Sequence, residues 1–233
     1  MQEDFFIQLR KSISHERLDA YRQKGTDLDE ANLYAHYAWN IALSESFYPA
    51  LQGLEVAIRN SIHDAATERF KTEYWFDEGK ILHPAEFESV RKAKDILTKS
   101  NKPLDAGRII AELNFGFWTS LFDVRYEQRL WPWLLKPVCA SMPRTIRTRK
   151  TLSKKLNKVR QLRNRIFHHE PIWYWQDLSR QHAELLETIY WINPAMMGFV
   201  KGLDRFPEVL KRGVEGYKQT IIQLSLVGKQ EGV

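Results

Sequence analysis

The chain has one cysteine, Cys139, in 233 residues. It can therefore form no intramolecular disulfide, and it has neither a cysteine cluster nor a zinc-ligand spacing. No stretch approaches the roughly 18 continuous apolar residues that a membrane span needs. The opening MQEDFFIQLRKSISHERLDAY lacks the basic-then-apolar layout of a secretory signal. The expected compartment is the cytoplasm, with no membrane partner. GxSxG, GxxxxGK[ST] and a strand-following GxGxxG are all missing. His36, His63, His83 and His182 are too scattered to make HExxH or another recognisable ligand set, so no metal or other cofactor is expected. A local absence is more telling: from Arg144 to Arg165, RTIRTRKTLSKKLNKVRQLRNR contains no acidic residue, although the whole chain carries a net charge of only +6. Such a one-signed run favours polyanions.

The sequence is rich in aromatic residues, with eight Trp, nine Tyr and twelve Phe, enough to fill a sizeable core without covalent staples. No run of alternating β-branched and aromatic residues bounded by turns is present, so the class is all-α. A short first helix is expected from Ser12 or Ser14 to Gly25. The long stretch that follows places Leu33, Tyr37, Asn40, Ile41 and Ser44 on one face, and Pro49 predicts either two helices or one bent helix. Pro84 is placed to open a charged amphipathic helix that Asn101 and Pro103 close. Two short apolar helices follow, broken by Gly116, Pro132, Pro137 and Pro143. FGFWTSLF reads as core rather than as a base-stacking platform. A basic helix from about 150 to 169 carries Leu152, Leu156, Val159 and Ile166 on one side and lysines opposite. No solenoid-length repeat or linker divides the chain, so one compact helical domain over residues 1–233 is expected.

The end of that basic helix, RNRIFHHEPI, concentrates the chemistry. Arg163 lies four residues beyond Val159 and seven beyond Leu156, so it leaves from the border of the buried side and needs an anionic partner. Pro171 disfavours a helical Glu170, which ends the helix near His168 or His169 and leaves the histidines at a frayed, repositionable end. An RNA 2′-hydroxyl attacking its neighbouring phosphorus needs a base, an acid for the leaving oxygen and positive charge on the phosphoryl oxygens. Histidine supplies the first two near neutral pH, and arginine supplies the third. Asn164 is placed to orient a histidine or to hold a sugar or phosphate oxygen. His168 and His169 are both candidates, His168 by the commoner four-residue gap. Glu170 could pair with His169 or Arg163 in the absence of RNA. Arg147, Arg149, Lys150, Lys154, Lys155, Lys158 and Arg160 are the expected contacts to an RNA backbone. An earlier Arg-x4-His, Arg10 to His15, has none of this context and reads as chance. Glu55 and Arg59, spaced i,i+4, read as a structural helix pair.

RNRIFHHEPI resembles the Arg-polar-x3-His signature of HEPN domains. WNIALSESFYPALQGLEVAIRNSI, IIAELNFGFWTSLF and HAELLETIYWINP resemble the abortive-infection (Abi-like) branch of that superfamily. The resemblance implies a helical bundle with inserted and flanking helices, and a homodimer in which two motifs meet. It also implies metal-independent cleavage of RNA, with Arg163, Asn164 and His168 at the matching positions. Abi-like proteins of this kind halt an infected bacterial cell, which implies control by an RNA or protein antitoxin or regulator. The alternative is a helical RNA-binding or regulatory protein in which the same motif grips phosphate without catalysis.

Overall fold

The computed structural model describes residues 5–22 and 29–230, with side chains described to Leu226. Among these residues every regular element is helical: α1 (Phe5–Ile13), α2 (His15–Asp19), α3 (Glu30–Phe70), α4 (Pro84–Lys99), α5 (Ala106–Glu112), α6 (Phe115–Ser120), α7 (Trp131–Val138), α8 (Arg149–Phe167), α9 (Leu178–Ile192), α10 (Pro194–Gly202), α11 (Phe206–Arg212) and α12 (Glu215–Gln230). Single 3-10 turns lie at Trp75–Asp77 and Val124–Tyr126. No described helix is long and apolar enough to cross a membrane.

Most helix boundaries follow local chemistry. Pro84 sits in the first turn of α4, where its missing N–H is not needed. At the other end Asn101 adopts φ 52°, and Lys102 N–H returns to Leu97 C=O at 2.9 Å, a Schellman closure. Three expectations differ from what is observed. The first segment is two helices, because Ser14 takes φ 68° and caps α2 through the Arg17 N–H; Gly25 lies outside the described residues. Pro137 lies inside α7 and does not break it. Of the two alternatives at Pro49, one helix is found, since α3 runs through the proline. The carbonyl that this proline leaves without a donor belongs to Glu45, whose side chain is well exposed, so water can satisfy it. Gly116 lies inside α6; the break before that helix is made by Asn114, whose side chain accepts the Phe117 N–H at 3.0 Å.

The chain divides into two compact units. The first comprises Met1–Tyr48, Asn164–Ser179 and Asp204–Val233. Its core gathers Leu18, Tyr21, Leu33 and Tyr34, with Phe6, Leu9, Tyr37 and Trp173 packed against them. The second comprises Pro49–Arg163 and Arg180–Leu203. It buries Trp75, Phe76, Trp118, Phe122, Tyr126 and Trp131, with the Phe122 and Trp131 rings stacked at 4.1 Å. The buried Glu86 carboxylate in this unit accepts from Tyr126 Oη and from Arg125, each at 2.7 Å, so the charge is both paired and hydrogen-bonded. FGFWTSLF is core, as its spacing predicted: Phe115, Phe117, Trp118, Leu121 and Phe122 are all buried.

Candidate active site

Helix α8 forms because Leu152, Leu156, Val159, Leu162 and Ile166 recur at helical spacing and are all buried. Lysines and arginines take the remaining surface. At about 100° per residue, Lys150, Lys154, Asn164 and His168 fall on the stripe opposite those apolar residues, whereas Arg163 falls beside them. Arg163 and His168, five positions apart, leave the helix axis about 140° apart.

Within the second unit, Arg163 Nη2 lies 3.6 Å from Glu55 Oε2 on α3, and its guanidinium sits 5.8 Å from the centre of the buried Phe115 ring. The anionic partner that its position demanded is therefore Glu55. The structure ties Glu55 to Arg163 where the sequence suggested Arg59 four residues on. Arg59 Nε is instead buried without a hydrogen-bond partner.

The basic residues divide into three groups. Arg147 turns back on the chain, donating to the Met142 and Ala140 carbonyls. Arg149 is nearly buried and donates to Phe122 C=O at 2.6 Å, with Glu127 at 3.3 Å. Both act as clamps on their own unit and do not project into solvent. Lys155 pairs with Glu187 at 2.7 Å beside the Trp191 ring, and Lys158 pairs with Glu184 at 3.3 Å. Lys150, Lys154 and Arg160 are exposed, with no acidic partner among the described residues. Lys150, Lys154, Lys155 and Lys158 line an open groove of about 390 Å³.

Within the first unit, the end of α8 is closed rather than frayed. His169 takes φ 57°, its N–H donates to Ile166 C=O at 3.0 Å, and the Glu170 N–H donates to Arg165 C=O at 2.9 Å. These two bonds make a Schellman motif with a histidine in the left-handed position that glycine usually fills. Arg17 on α2 holds the turn from outside, donating to His169 C=O at 2.9 Å. The next residues are held by buried Asn40, whose Oδ1 accepts the Ile172 N–H at 2.7 Å and the Trp173 N–H at 3.2 Å. The Asn164, Arg165, Ile166 and His169 carbonyls thus all have protein donors. Asn164, His168 and His169 are exposed, and the His168 N–H bonds to Asn164 C=O at 2.9 Å. Glu170 pairs with Arg165 at 3.1 Å, and Arg165 also donates to Tyr174 Oη at 3.0 Å.

The earlier Arg-x4-His falls on two different helices. Arg10 is paired with Glu30, and His15 is paired with Asp19 at 3.0 Å. Nothing gathers the two around a common point. Among the described residues no group of three or more His, Cys, Asp or Glu side chains is arranged to hold a metal ion. No protein-family model, curated protein or solved structure matches the chain.

Arg17, Asn40 and Glu55 are the contributors that the motif alone does not announce. Asn40 had a visible signal, being an amide on the apolar face of a long helix, where it must find partners. Arg17 and Glu55 have none, because their partners lie more than a hundred residues away.

Proposed function

We propose that the chain is a metal-independent endoribonuclease of the Abi-like HEPN type, acting as a homodimer in the cytoplasm under an RNA or protein antitoxin or regulator. The observation that carries this reading is the end of α8. Two exposed histidines and an exposed asparagine stand on a rigidly capped turn, at the end of a helix whose solvent stripe is basic. In the proposed step His168, with His169 as the alternative, takes the 2′-hydroxyl proton. The oxygen forms its bond to the adjacent phosphorus, the bond to the 5′-oxygen breaks, and that oxygen receives a proton from a second imidazole. The products carry a 2′,3′-cyclic phosphate and a 5′-hydroxyl. Arg163 neutralises the phosphoryl oxygens, and Asn164 orients the base. The angular separation of Arg163 and His168 supports a composite site, since a second copy supplies the side that one helix cannot.

The test is cleavage of end-labelled mixed-sequence RNA in excess EDTA, beside His168→Ala and Arg163→Ala variants that retain wild-type helicity. The expected result is cyclic-phosphate ends, formed at least about 100-fold more slowly in His168→Ala, as for loss of a positioned acid or base, and in Arg163→Ala, as for loss of a charge on the transition state. A 2′-deoxy substitution at the cleaved position is expected to abolish the reaction. One observation favours a second reading, a non-catalytic RNA-binding or regulatory protein: Arg163 already has Glu55 as an anionic partner without RNA. Salt-sensitive RNA binding with no turnover would establish that alternative.

A further inference from the structure

Beside the capped turn the first unit contains a cavity of about 410 Å³ that the cleavage chemistry does not use. Its volume is within the range of small-ligand pockets. Ile41 and Ile166 give it apolar wall, His169 and Arg17 lie at one side, and Tyr21, Tyr37, Asn40 and Ser44 supply polar groups. The Tyr21 and Tyr37 rings meet edge to face at 5.2 Å.

Among the described residues these polar groups lack protein partners. Among the described residues no protein hydrogen bond is made by the hydroxyls of Tyr21, Tyr37 or Ser44. Asn40 is 3% exposed, and its Oδ1 is fully engaged by the Ile172 and Trp173 N–H groups. Among the described residues its amide NH2 donates to no protein group. Burial pushes the Tyr21 phenol up to about 12, with Tyr37 adding to the rise and Arg17 opposing it, so the hydroxyl stays protonated. Convergent polar groups of this kind in a largely preformed, solvent-reached hollow are free to bond an external partner in place of water. A partly apolar group with hydrogen-bonding atoms along its edge matches this lining.

We propose that this cavity receives one unstacked nucleobase of single-stranded RNA, next to the phosphate presented to the histidines. It rests on the reading of the chain as an RNA-binding nuclease and gives that site a base-specific subsite. The base lies between Ile41, Ile166 and the tyrosine edges. Its hydrogen-bonding edge meets the Asn40 amide and the Ser44 and Tyr37 hydroxyls, and Arg17 faces the adjoining phosphate. This is the mode by which single-stranded RNA is read, through splayed bases on apolar and aromatic surfaces.

The experiment uses the full chain carrying His168→Ala, which prevents turnover during titration, and a fluorescent mixed-sequence RNA 12-mer over a series of salt concentrations. Ser44→Leu, added to plug the cavity, is expected to weaken binding about tenfold, the loss of one buried base contact. The slope of log affinity against log salt stays unchanged, because no phosphate contact is removed. Tyr37→Phe, which keeps the volume and removes one hydroxyl, is expected to weaken binding about threefold with the same unchanged slope, and it serves if the plug impairs folding. In the cleaving protein Ser44→Leu is expected to flatten base preference at the cut. Unchanged affinity and unchanged preference in both variants would overturn the subsite and leave the nuclease intact. Absence of RNA binding by the parent protein would remove both.

Discussion

Asn40 commits one oxygen to two backbone N–H groups that lie 132 and 133 residues away. The Asn40→Leu variant keeps the side-chain volume but leaves a buried Ile172 N–H and a half-buried Trp173 N–H without an acceptor. At roughly 1 to 3 kcal/mol for each buried orphaned group, and less for the half-buried Trp173 N–H that water can reach, we expect a loss of about 2 to 4 kcal/mol, read as a lower urea midpoint at constant m-value. His169 gives the opposite sign. A non-glycine residue at φ 57° is strained by about 1 kcal/mol, so His169→Gly should stabilise the fold by about that amount. If the same variant also cleaves RNA more slowly, the strained histidine serves chemistry rather than stability. His63 adds a pH dependence. The Trp75 indole N–H donates to its Nδ1 at 3.2 Å, an acceptor only while unprotonated. Burial lowers its pKa below the ordinary 6.5, against the raising effects of Asp64 and Glu73. The unfolded chain then binds a proton that the folded one resists, so stability falls as pH drops through the region below 6.5. Urea midpoints at neutral and mildly acidic pH should differ less in His63→Gln than in the native chain.

At the scale of elements, two glycines in helices separate propensity from packing. A Cβ at Gly53 of α3 would lie 2.4 Å from Val200 Cγ2, on a β-branched side chain that is 2% exposed. Nothing lies within 4 Å of a Cβ at Gly198 of α10. Alanine gains about 1 kcal/mol over glycine in a helix, and overpacking a stiff neighbour costs about 1 to 3 kcal/mol. Gly198→Ala should therefore raise the melting temperature and Gly53→Ala should lower it. The same contrast between local and distant causes decides what the sequence makes legible. The apolar stripe of α8, the Pro84 start and the Asn101 stop are short-range rules, and each is observed. Pro49 leaves two helices or one bent helix open, and the choice of one helix turns on the freed carbonyl belonging to Glu45, whose side chain is exposed, which no window of sequence reveals. The closure at His169 depends on a left-handed histidine, and its bracing depends on Arg17 and Asn40. From the sequence alone, His169 reads as a frayed end. Glu55 shows the same limit: the i,i+4 rule selects Arg59, but the ion pair found is with Arg163, 108 positions on.

At the scale of the whole molecule, a net charge of +6 says little, since clamps and ion pairs neutralise much of the basic run locally. Arg147 and Arg149 are tied to backbone carbonyls, and Lys155 and Lys158 face Glu187 and Glu184. Only charges that can exchange counterions for phosphate contribute to the salt dependence of binding. This divides a run that looks uniform in sequence into two energetic classes. Replacing Lys150, Lys154 and Arg160 together by alanine should lower the salt slope for a single-stranded RNA by about 2, at about 0.7 per phosphate contact. Replacing Lys155 and Lys158 should change it by less than half of that, because releasing Glu187 and Glu184 exposes carboxylates that were already compensated. Fluorescence titrations of a 20-mer at several salt concentrations, on variants with unchanged helicity, measure both slopes. A drop of about 1.4 for Lys155 and Lys158, the full contribution of two phosphate contacts, would mean that the ion pairs open freely on binding, and that the groove lined by α8 and Glu184 tracks the strand over its whole width.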